Sequence, residues 1–315
     1  MSKYALLFPG QGAQEAGMGR ELAEAFPEAM QIWKQAEQAS GLALRAIYWE
    51  GNEAEMADTR ALQPALCAAN LALWAYMAPR LRIVATAGHS LGEYCSLVAA
   101  GALSPERIFE LVALRGRLMA DADPDGKGAM CAVLKMTQAA VEELVREIVE
   151  QSGLTLRIAN YNSPAQFVLS GSAEAIEKVA LLAREGKGRA LPLKVSGAFH
   201  SPFMAEAAAE LAVALRGLVW HKPRFPVYCN ALGRALTNGE AVKEAMLIQM
   251  TSSVLWLDSI KAQWHDGIRN WIELGPKPVL SKMLAPILSD LPLPEGSEYQ
   301  ALCISNMEQA QAFQA

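Results

Sequence analysis

A serine lies at the centre of the pentapeptide Gly88-His89-Ser90-Leu91-Gly92, which has the pattern Gly-x-Ser-x-Gly. An apolar run at residues 82–87 precedes it, and a helix-like stretch at residues 93–100 follows it. A serine on a sharp turn between a strand and a helix holds its hydroxyl clear of the backbone, and the helix N-terminus offers free N–H groups to a developing oxyanion. The spacing is therefore compatible with a serine nucleophile and equally with a turn residue or helix N-cap, and the rest of the chain must distinguish them.

A serine nucleophile needs a general base, and the chain has four histidines. His89 adjoins the serine, so its side chain is expected to point elsewhere, and His265 is predicted at an exposed helix end. His200 follows a strand-like segment, and Ser201-Pro202 after it predicts an N-cap and first residue of a helix. Because such a histidine is held rigidly, we predict that His200 is the base, with a buried structural histidine as the alternative.

The elements that must position these residues alternate in type along the chain. Short β-type runs are separated by longer helical segments, and they lie at residues 4–8, 82–87, 225–229, 270–274 and 300–304. This alternation predicts an α/β fold, with a mainly parallel sheet covered by helices on both faces. Sites in such folds gather where strands end, which is where Ser90 lies.

The order of elements changes between residues 127 and 196. Two amphipathic helical segments are interleaved with strand-like runs at 129–134, 154–159, 166–170 and 189–195, a βαββαβ order typical of a ferredoxin-like unit. The segment Asn160-Tyr161-Asn162-Ser163-Pro164 predicts the turn between the middle two strands. We expect a catalytic core formed by residues 1–126 and 197–315, a small subdomain at 127–196, and the active site in the cleft between them.

Composition limits the class of protein. The 315 residues are 52% hydrophobic and 19% charged, which predicts a globular chain with a large core. Neither a membrane span nor a signal peptide is predicted, so we expect a cytoplasmic protein. The five cysteines show no metal-ligand or disulfide spacing, and a net charge of −5 argues against nucleic acid as a partner.

A series of motifs then carries a resemblance to a known family. In chain order they are Phe8-Pro9-Gly10-Gln11-Gly12-Ala13-Gln14, the serine pentapeptide extended by Glu93-Tyr94, Arg115-Gly116-Arg117, Gly128-Ala129-Met130, Asn160-Tyr161-Asn162-Ser163-Pro164, Gly197-Ala198-Phe199-His200-Ser201 and Glu273-Leu274-Gly275-Pro276. Together they resemble the malonyl-CoA:acyl carrier protein transacylases of bacterial fatty acid synthesis, from the first strand to about residue 285.

The resemblance implies an α/β-hydrolase-like core with an inserted ferredoxin-like subdomain. It also implies a Ser-His dyad that moves malonyl from coenzyme A to the phosphopantetheine thiol of acyl carrier protein, through an ester on Ser90 and with ping-pong kinetics. No metal or tightly bound cofactor is implied, since the coenzyme A thioester is a substrate. An acyltransferase that serves a polyketide synthase, a serine esterase or thioesterase, and a noncatalytic carrier-docking subunit are the alternatives.

Roles for single residues follow from the same motifs. The backbone N–H of Leu91, the residue after the nucleophile, is a candidate oxyanion donor, and the resemblance implies Gln11 as the second. Arg115 follows an apolar stretch, and a guanidinium matches the free carboxylate of malonyl; a salt bridge or a surface position is the alternative. The resemblance further implies that the backbone carbonyl of Gln249 orients His200.

Further predictions concern the substrate pocket and the partner protein. The resemblance places Phe199, Asn160 and Asn162 in the substrate pocket, Phe199 in the manner of malonyl-selective members. The family often has Asn-Pro where this chain has Ser252-Ser253, a departure that leaves the alignment of Gln249 open by about one residue. Because acyl carrier proteins are acidic, we expect docking on local basic residues, with solvated surface charges as the alternative. The candidates are Lys187, Arg189 and Lys194. A monomer is expected.

Overall fold

The computed structural model describes residues 2–289, 291–292 and 298–314. The strands are β1 (Lys3–Phe8), β2 (Arg82–Gly88), β3 (Gly128–Leu134), β4 (Leu156–Ser163), β5 (Gln166–Ser172), β6 (Arg189–Pro192), β7 (Val227–Cys229), β8 (Arg234–Leu236), β9 (Asn270–Leu274) and β10 (Gln300–Ile304). The helices are α1 (Arg20–Ala25), α2 (Pro27–Ser40), α3 (Leu44–Trp49), α4 (Glu53–Ala57), α5 (Thr59–Met77), α6 (Leu91–Ala99), α7 (Pro105–Asp121), α8 (Gln138–Ser152), α9 (Ala173–Glu185), α10 (Ala205–Arg216), α11 (Gly239–Gln249), α12 (Trp256–His265), α13 (Leu280–Leu288) and α14 (Met307–Ala312). Short 3-10 turns occupy Ala78–Arg80 and Pro202–Met204.

The larger sheet has six strands in the order β10-β9-β1-β2-β7-β8. Its pairs are parallel except for the antiparallel pair β7 and β8 at one edge. The mainly parallel sheet expected from the sequence is therefore confirmed. Phe8 pairs with Gly88, so β1 and β2 end side by side, and the loop after β1 begins next to Ser90.

Both faces of this sheet are buried. Along β1, Tyr4, Leu6 and Phe8 join one hydrophobic cluster, whereas Ala5 and Leu7 join another on the opposite face. This alternation is the period of a strand covered on both sides, and helix α5 contributes eleven residues to the first of these clusters. The sheet therefore holds the carboxyl ends of its strands in fixed positions.

A second, antiparallel sheet has the strand order β4-β5-β3-β6. Its chain order, β3, α8, β4, β5, α9, β6, is the alternation that the sequence predicts for this region. Val141, Leu144 and Ile148 of α8 and Val179 of α9 pack on one face of the sheet in a third hydrophobic cluster. The second sheet thus has its own core.

The C-terminal ends of β4 and β6 differ most from the sequence prediction. The turn predicted at residues 160–164 is wrong for residues 160–163, which continue β4 and leave only Pro164 and Ala165 to turn. The reason is pairing: residues 160, 161 and 163 continue the ladder with β5, and in addition Asn160 pairs with Val254 as an isolated bridge, with Tyr161 N donating to Val254 O at 3.0 Å. Strand β6 ends at Pro192 rather than at residue 195. No helix within the described ranges is long and apolar enough to cross a membrane.

Candidate active site

Ser90 occupies a strained turn between β2 and α6. Its backbone has φ 51° and ψ −103°, and its side chain does not cap the helix. A Cβ added to Gly88 would lie 2.0 Å from the backbone of Gly92, and one added to Gly92 would lie 2.0 Å from Phe8 O. The turn can therefore form only with glycine at both positions, which explains the spacing of the pentapeptide.

His200 lies beside this serine. Its Nε2 is 2.8 Å from Ser90 Oγ, and its own backbone also has a positive φ, 55°. Nδ1 is 3.0 Å from Ser252 O and 3.2 Å from Gln249 O. Because carbonyl oxygens only accept, Nδ1 carries the hydrogen, and the lone pair of Nε2 is free to accept the serine proton.

The surroundings keep His200 uncharged. Burial lowers the pKa of His200 to about 3, and the charges of Arg115 and His89 act in the same direction. A neutral imidazole in contact with a hydroxyl is the state that a general base requires. The contact with Ser252 O was not predicted, and the departure of Ser252-Ser253 from the family pattern was its only sequence signal.

Arg115, on α7, is fully buried in the same place. Its Nη2 donates to Ser90 Oγ at 3.0 Å, its Nη1 donates to Gln63 Oε1, and the guanidinium lies 5.3 Å from the ring centroid of Tyr94. Burial lowers the pKa of Arg115 from its ordinary value. Among the described residues Arg115 forms no salt bridge, so its buried charge has no anionic partner within bonding distance. By contrast, the exposed Arg117 pairs with Glu210 at 2.9 Å.

Two backbone N–H groups border the serine. Those of Gln11 and Leu91 donate to no atom of the described residues. A Cβ added to Gly10 would lie 2.3 Å from His89 O and 3.6 Å from Leu91 N, so the loop after β1 lies against the serine turn. Two free donors on adjacent loops beside a hydroxyl match the needs of an oxyanion.

A cavity of about 230 Å³ opens in front of Ser90 between the two sheets. Its walls include the pocket residues predicted from the sequence, Phe199, Asn160 and Asn162. Asn162 Oδ1 lies 2.8 Å from His89 Nε2, so the histidine next to the nucleophile binds the second sheet and points away from the serine hydroxyl, as expected. Met130, Met283, Val168, Leu193, Val195 and Val279 supply apolar wall.

Three buried polar residues near the serine were not predicted, namely Gln63, Glu93 and Asn230. Glu93 and Gln63 lie on helices in otherwise apolar stretches, which was a usable signal; Asn230 follows β7 and carries no such signal. Burial raises the pKa of Glu93 to about 7. The basic residues predicted for docking, Lys187, Arg189 and Lys194, are exposed around β6. No cluster of three or more metal-ligating side chains occurs in the part of the chain that the structure describes.

A mainly parallel sheet that holds a serine where one strand ends and a free N–H on the loop after the adjacent strand, with a neutral histidine beside the serine, is the arrangement of an acyl-transfer enzyme. Residues 5–309 match the family model described as acyl transferase domain, and the chain belongs to this family. Within it the chain belongs with the malonyl-CoA:acyl carrier protein transacylases. Those of Bacillus subtilis and Haemophilus influenzae are 39% and 38% identical to it, over 91% and 92% of this chain and 91% and 94% of the relatives.

Solved structures agree with this placement. An acyl carrier protein S-malonyltransferase from Vibrio cholerae superposes with a TM-score of 0.89 at 34% identity and covers 99% of both chains. A malonyl transacylase solved in complex with its type II polyketide synthase acyl carrier protein superposes with a TM-score of 0.90 at 33% identity and covers 98% of both chains.

Proposed function

We propose that this protein transfers the malonyl group from malonyl-CoA to the phosphopantetheine thiol of an acyl carrier protein through an ester on Ser90. One observation carries the proposal: Ser90 Oγ lies 2.8 Å from a neutral histidine nitrogen and 3.0 Å from a buried, unpaired guanidinium. The first contact supplies a nucleophile and its base. The second supplies a binding partner for an acyl group that ends in a carboxylate.

In the first half-reaction His200 Nε2 takes the proton of Ser90 as Oγ attacks the thioester carbonyl carbon. The carbonyl oxygen becomes an oxyanion, which accepts hydrogen bonds from the N–H groups of Gln11 and Leu91. When the carbon–sulfur bond breaks, His200 returns the proton to the coenzyme A sulfur, and the malonyl-Ser90 ester remains. The carbonyls of Gln249 and Ser252 hold the imidazole in the required tautomer throughout.

In the second half-reaction the carrier thiol occupies the place that coenzyme A has left. His200 takes the thiol proton, the sulfur attacks the ester carbonyl carbon, and the proton passes to Ser90 Oγ as the ester bond breaks. The same oxyanion donors act again, because the carbonyl carbon has not moved. Since the two halves share one site, ping-pong kinetics are expected.

Arg115 supplies the selectivity for malonyl in this scheme. The malonyl carboxylate is two bonds from the carbonyl carbon that Ser90 attacks, and the guanidinium already contacts Ser90 Oγ. An acyl group with a terminal carboxylate would therefore pair with Arg115 while its carbonyl lies at the serine. Acetyl has no group for this pairing.

Intact mass spectrometry after incubation with malonyl-CoA tests the proposal. We expect a lasting malonyl adduct on the protein, its absence in Ser90→Ala, and its discharge when a holo acyl carrier protein is added. Release of coenzyme A with free malonate and no adduct would instead identify a hydrolase. Unchanged transfer by Ser90→Ala in a reconstituted assay would identify a carrier-docking subunit without catalysis. Carriers from fatty acid and polyketide systems, tested in parallel, distinguish the two acceptors.

The same proposal extends to the architecture. We infer an α/β-hydrolase-like catalytic core formed by residues 1–126 and 197–315, and a ferredoxin-like subdomain at residues 127–196. The strand order β4-β5-β3-β6 with two helices on one face supports the second assignment. The serine turn between a parallel strand and a helix supports the first.

A further inference from the structure

We propose that Asn230 is a positioning residue for the nucleophile: its side-chain amide holds the strained backbone of Ser90 and so fixes the direction of the serine hydroxyl. This inference rests on the proposed function, because it assigns a part in the chemistry of Ser90. The polar atoms of the Asn230 amide are engaged with the backbone of Ser90 and Gly88, so Asn230 acts through Ser90 and not on the substrate.

The amide of Asn230 bridges the two sides of the serine turn. Oδ1 accepts a hydrogen bond from Ser90 N at 2.7 Å, and Nδ2 donates to Gly88 O at 2.6 Å. The side chain is 1% exposed, so neither partner has water as a substitute. The donor faces a carbonyl and the acceptor faces an N–H, so only one orientation of the amide satisfies both contacts.

The position of Asn230 in the sheet explains why a side chain is needed there. Strands β2 and β7 are parallel, and their last paired residues are Ala87 and Tyr228. Beyond this point the chain turns sharply at Ser90, and the ladder cannot continue through backbone groups. The side-chain amide of Asn230 instead forms the hydrogen bonds to Gly88 O and Ser90 N.

The backbone of Asn230 is itself fixed by hydrogen bonds. Its backbone N donates to Glu93 Oε1 at 3.1 Å, and its backbone O accepts from Leu255 N at 2.9 Å. The other oxygen of Glu93 accepts from Gln249 Nε2 at 3.0 Å, and the same Nε2 donates to Ser90 O at 2.9 Å. Side chains therefore hold both backbone polar groups of Ser90, and both are tied to one buried carboxyl.

These hydrogen bonds hold Ser90 in a strained backbone conformation. A non-glycine residue at φ 51° and ψ −103° lies outside the favoured regions of backbone conformation and persists only where its surroundings impose it. If the amide is lost, the turn is expected to relax, and Oγ then leaves the 2.8 Å contact with His200. The N–H of Leu91, next in the chain, would move with it.

Two variants test the proposal. Asn230→Ala removes both contacts, and Asn230→Asp keeps the volume and the acceptor for Ser90 N but removes the donor to Gly88 O. For each we expect the rate of Ser90 acylation and kcat to fall about 10- to 100-fold, with KM for malonyl-CoA within about threefold of the unsubstituted protein. The reactivity of Ser90 toward a fluorophosphonate probe should fall by a similar factor, measured on folded protein.

Asn52→Ala is the matched control, because Asn52 also accepts from backbone N–H groups, those of Ala54 and Glu55, at a helix outside the cavity. It should lose stability and keep its acylation rate. The proposal is overturned if folded Asn230→Ala, or Asn230→Asp should the first not fold, acylates within about twofold of the unsubstituted protein. The fluorophosphonate probe needs no malonyl group, so it tests Asn230 even if the malonyl adduct of the proposed function fails to form.

Discussion

At the scale of single residues, Arg115 is a fully buried charge beside the nucleophile, and the proposed function assigns it the selection of the acyl group. A guanidinium that is fully buried costs several kcal/mol unless an anion or a set of acceptors compensates it. Its acceptors here are Gln63, Ser90 Oγ and, at 3.4 Å, Gln249 Oε1, all of them uncharged. A positive charge without an anionic partner next to Ser90 Oγ is complementary to an acyl group that brings its own anion to the serine.

Replacement of this arginine should therefore separate two acyl groups. For Arg115→Ala we expect malonyl transfer to lose about 3 kcal/mol of transition-state stabilisation, or about 100-fold in kcat/KM, because a buried charge-assisted pair is lost. Acetyl transfer should fall less than about tenfold, since acetyl makes no such pair. Initial rates with malonyl-CoA and acetyl-CoA measure both. Equal losses for the two substrates would remove Arg115 from the specificity role.

The raised pKa of Glu93 predicts that the stability of the fold depends on pH. Burial raises its pKa in the folded state to about 7, above the ordinary value of 4.5, while Gln249, Asn230, Cys229 and Arg115 favour the charged form. Between these two pH values the folded protein binds a proton that the unfolded chain releases, so this group makes the fold less stable as pH rises from 4.5 through 7. Glu93→Gln removes the titration.

Urea unfolding at pH 5 and pH 8 measures the effect. From pH 5 to pH 8 the free energy of unfolding of Glu93→Gln should rise by about 2 kcal/mol relative to that of the unsubstituted protein. The reason is that only the unsubstituted protein must bury a carboxylate at pH 8. A difference in unfolding free energy that does not change with pH would show that Glu93 is ionised at both values.

At the scale of elements, the sequence predicts whatever depends on local pattern. Strands β9 and β10 have the predicted bounds, and the serine turn follows from its glycines. The turn predicted at residues 160–163 was wrong, because pairing with β5 and with Val254 outweighs the local propensity of the asparagines there. Asn230 and Ser252 reach the serine and histidine from distant parts of the chain, and no local pattern carries that information.

The junction between β4 and the segment after α11 is an element-scale feature with a testable consequence. Arg157 of β4 donates to Thr251 O at 2.6 Å and to Ser253 Oγ at 2.9 Å, and Ser253 Oγ donates to Ile158 O at 2.6 Å. This segment carries Ser252, whose carbonyl accepts from His200. The side chains of Ser253 and Arg157 thus fix the segment in which this chain has Ser252-Ser253.

Arg157→Ala should loosen the segment that orients the histidine. We expect a loss of about 1–2 kcal/mol of stability, since two hydrogen bonds of a half-buried charged group are removed, and a several-fold lower kcat with KM for malonyl-CoA unchanged. Chemical denaturation and steady-state kinetics measure the two quantities. Arg146→Ala, on exposed ion pairs of α8, is the control and should change both little. A kcat as insensitive to Arg157→Ala as to this control would contradict the role of the junction.

At the scale of the whole molecule, the cavity lies between two sheets, each of which has its own hydrophobic core. Strand β6 leads from the cavity to the protein surface. Strand β6 forms an edge of the second sheet, and Leu193 and Val195, which follow it, line the cavity. Arg189 begins β6, and it forms no salt bridge within the described residues. An acidic carrier that binds here would present its thiol close to the cavity entrance, although the net charge of the chain is −5.

Charge reversal at Arg189 separates this docking step from the chemistry. For Arg189→Glu we expect KM for the carrier to rise about 5- to 10-fold at low ionic strength and by less at high salt, because the lost attraction is screened. The rate of malonyl adduct formation from malonyl-CoA should not change, since the first half-reaction involves no carrier. Arg146→Glu makes the same change of net charge on α8, which packs on the same sheet, but Arg146 is already paired with Glu143 and Glu150. If both charge reversals raise KM for the carrier equally, only net charge matters, and the carrier does not bind at β6. If KM for the carrier rises only in Arg189→Glu, the carrier docks at the edge strand β6, which leads to the cavity in front of Ser90.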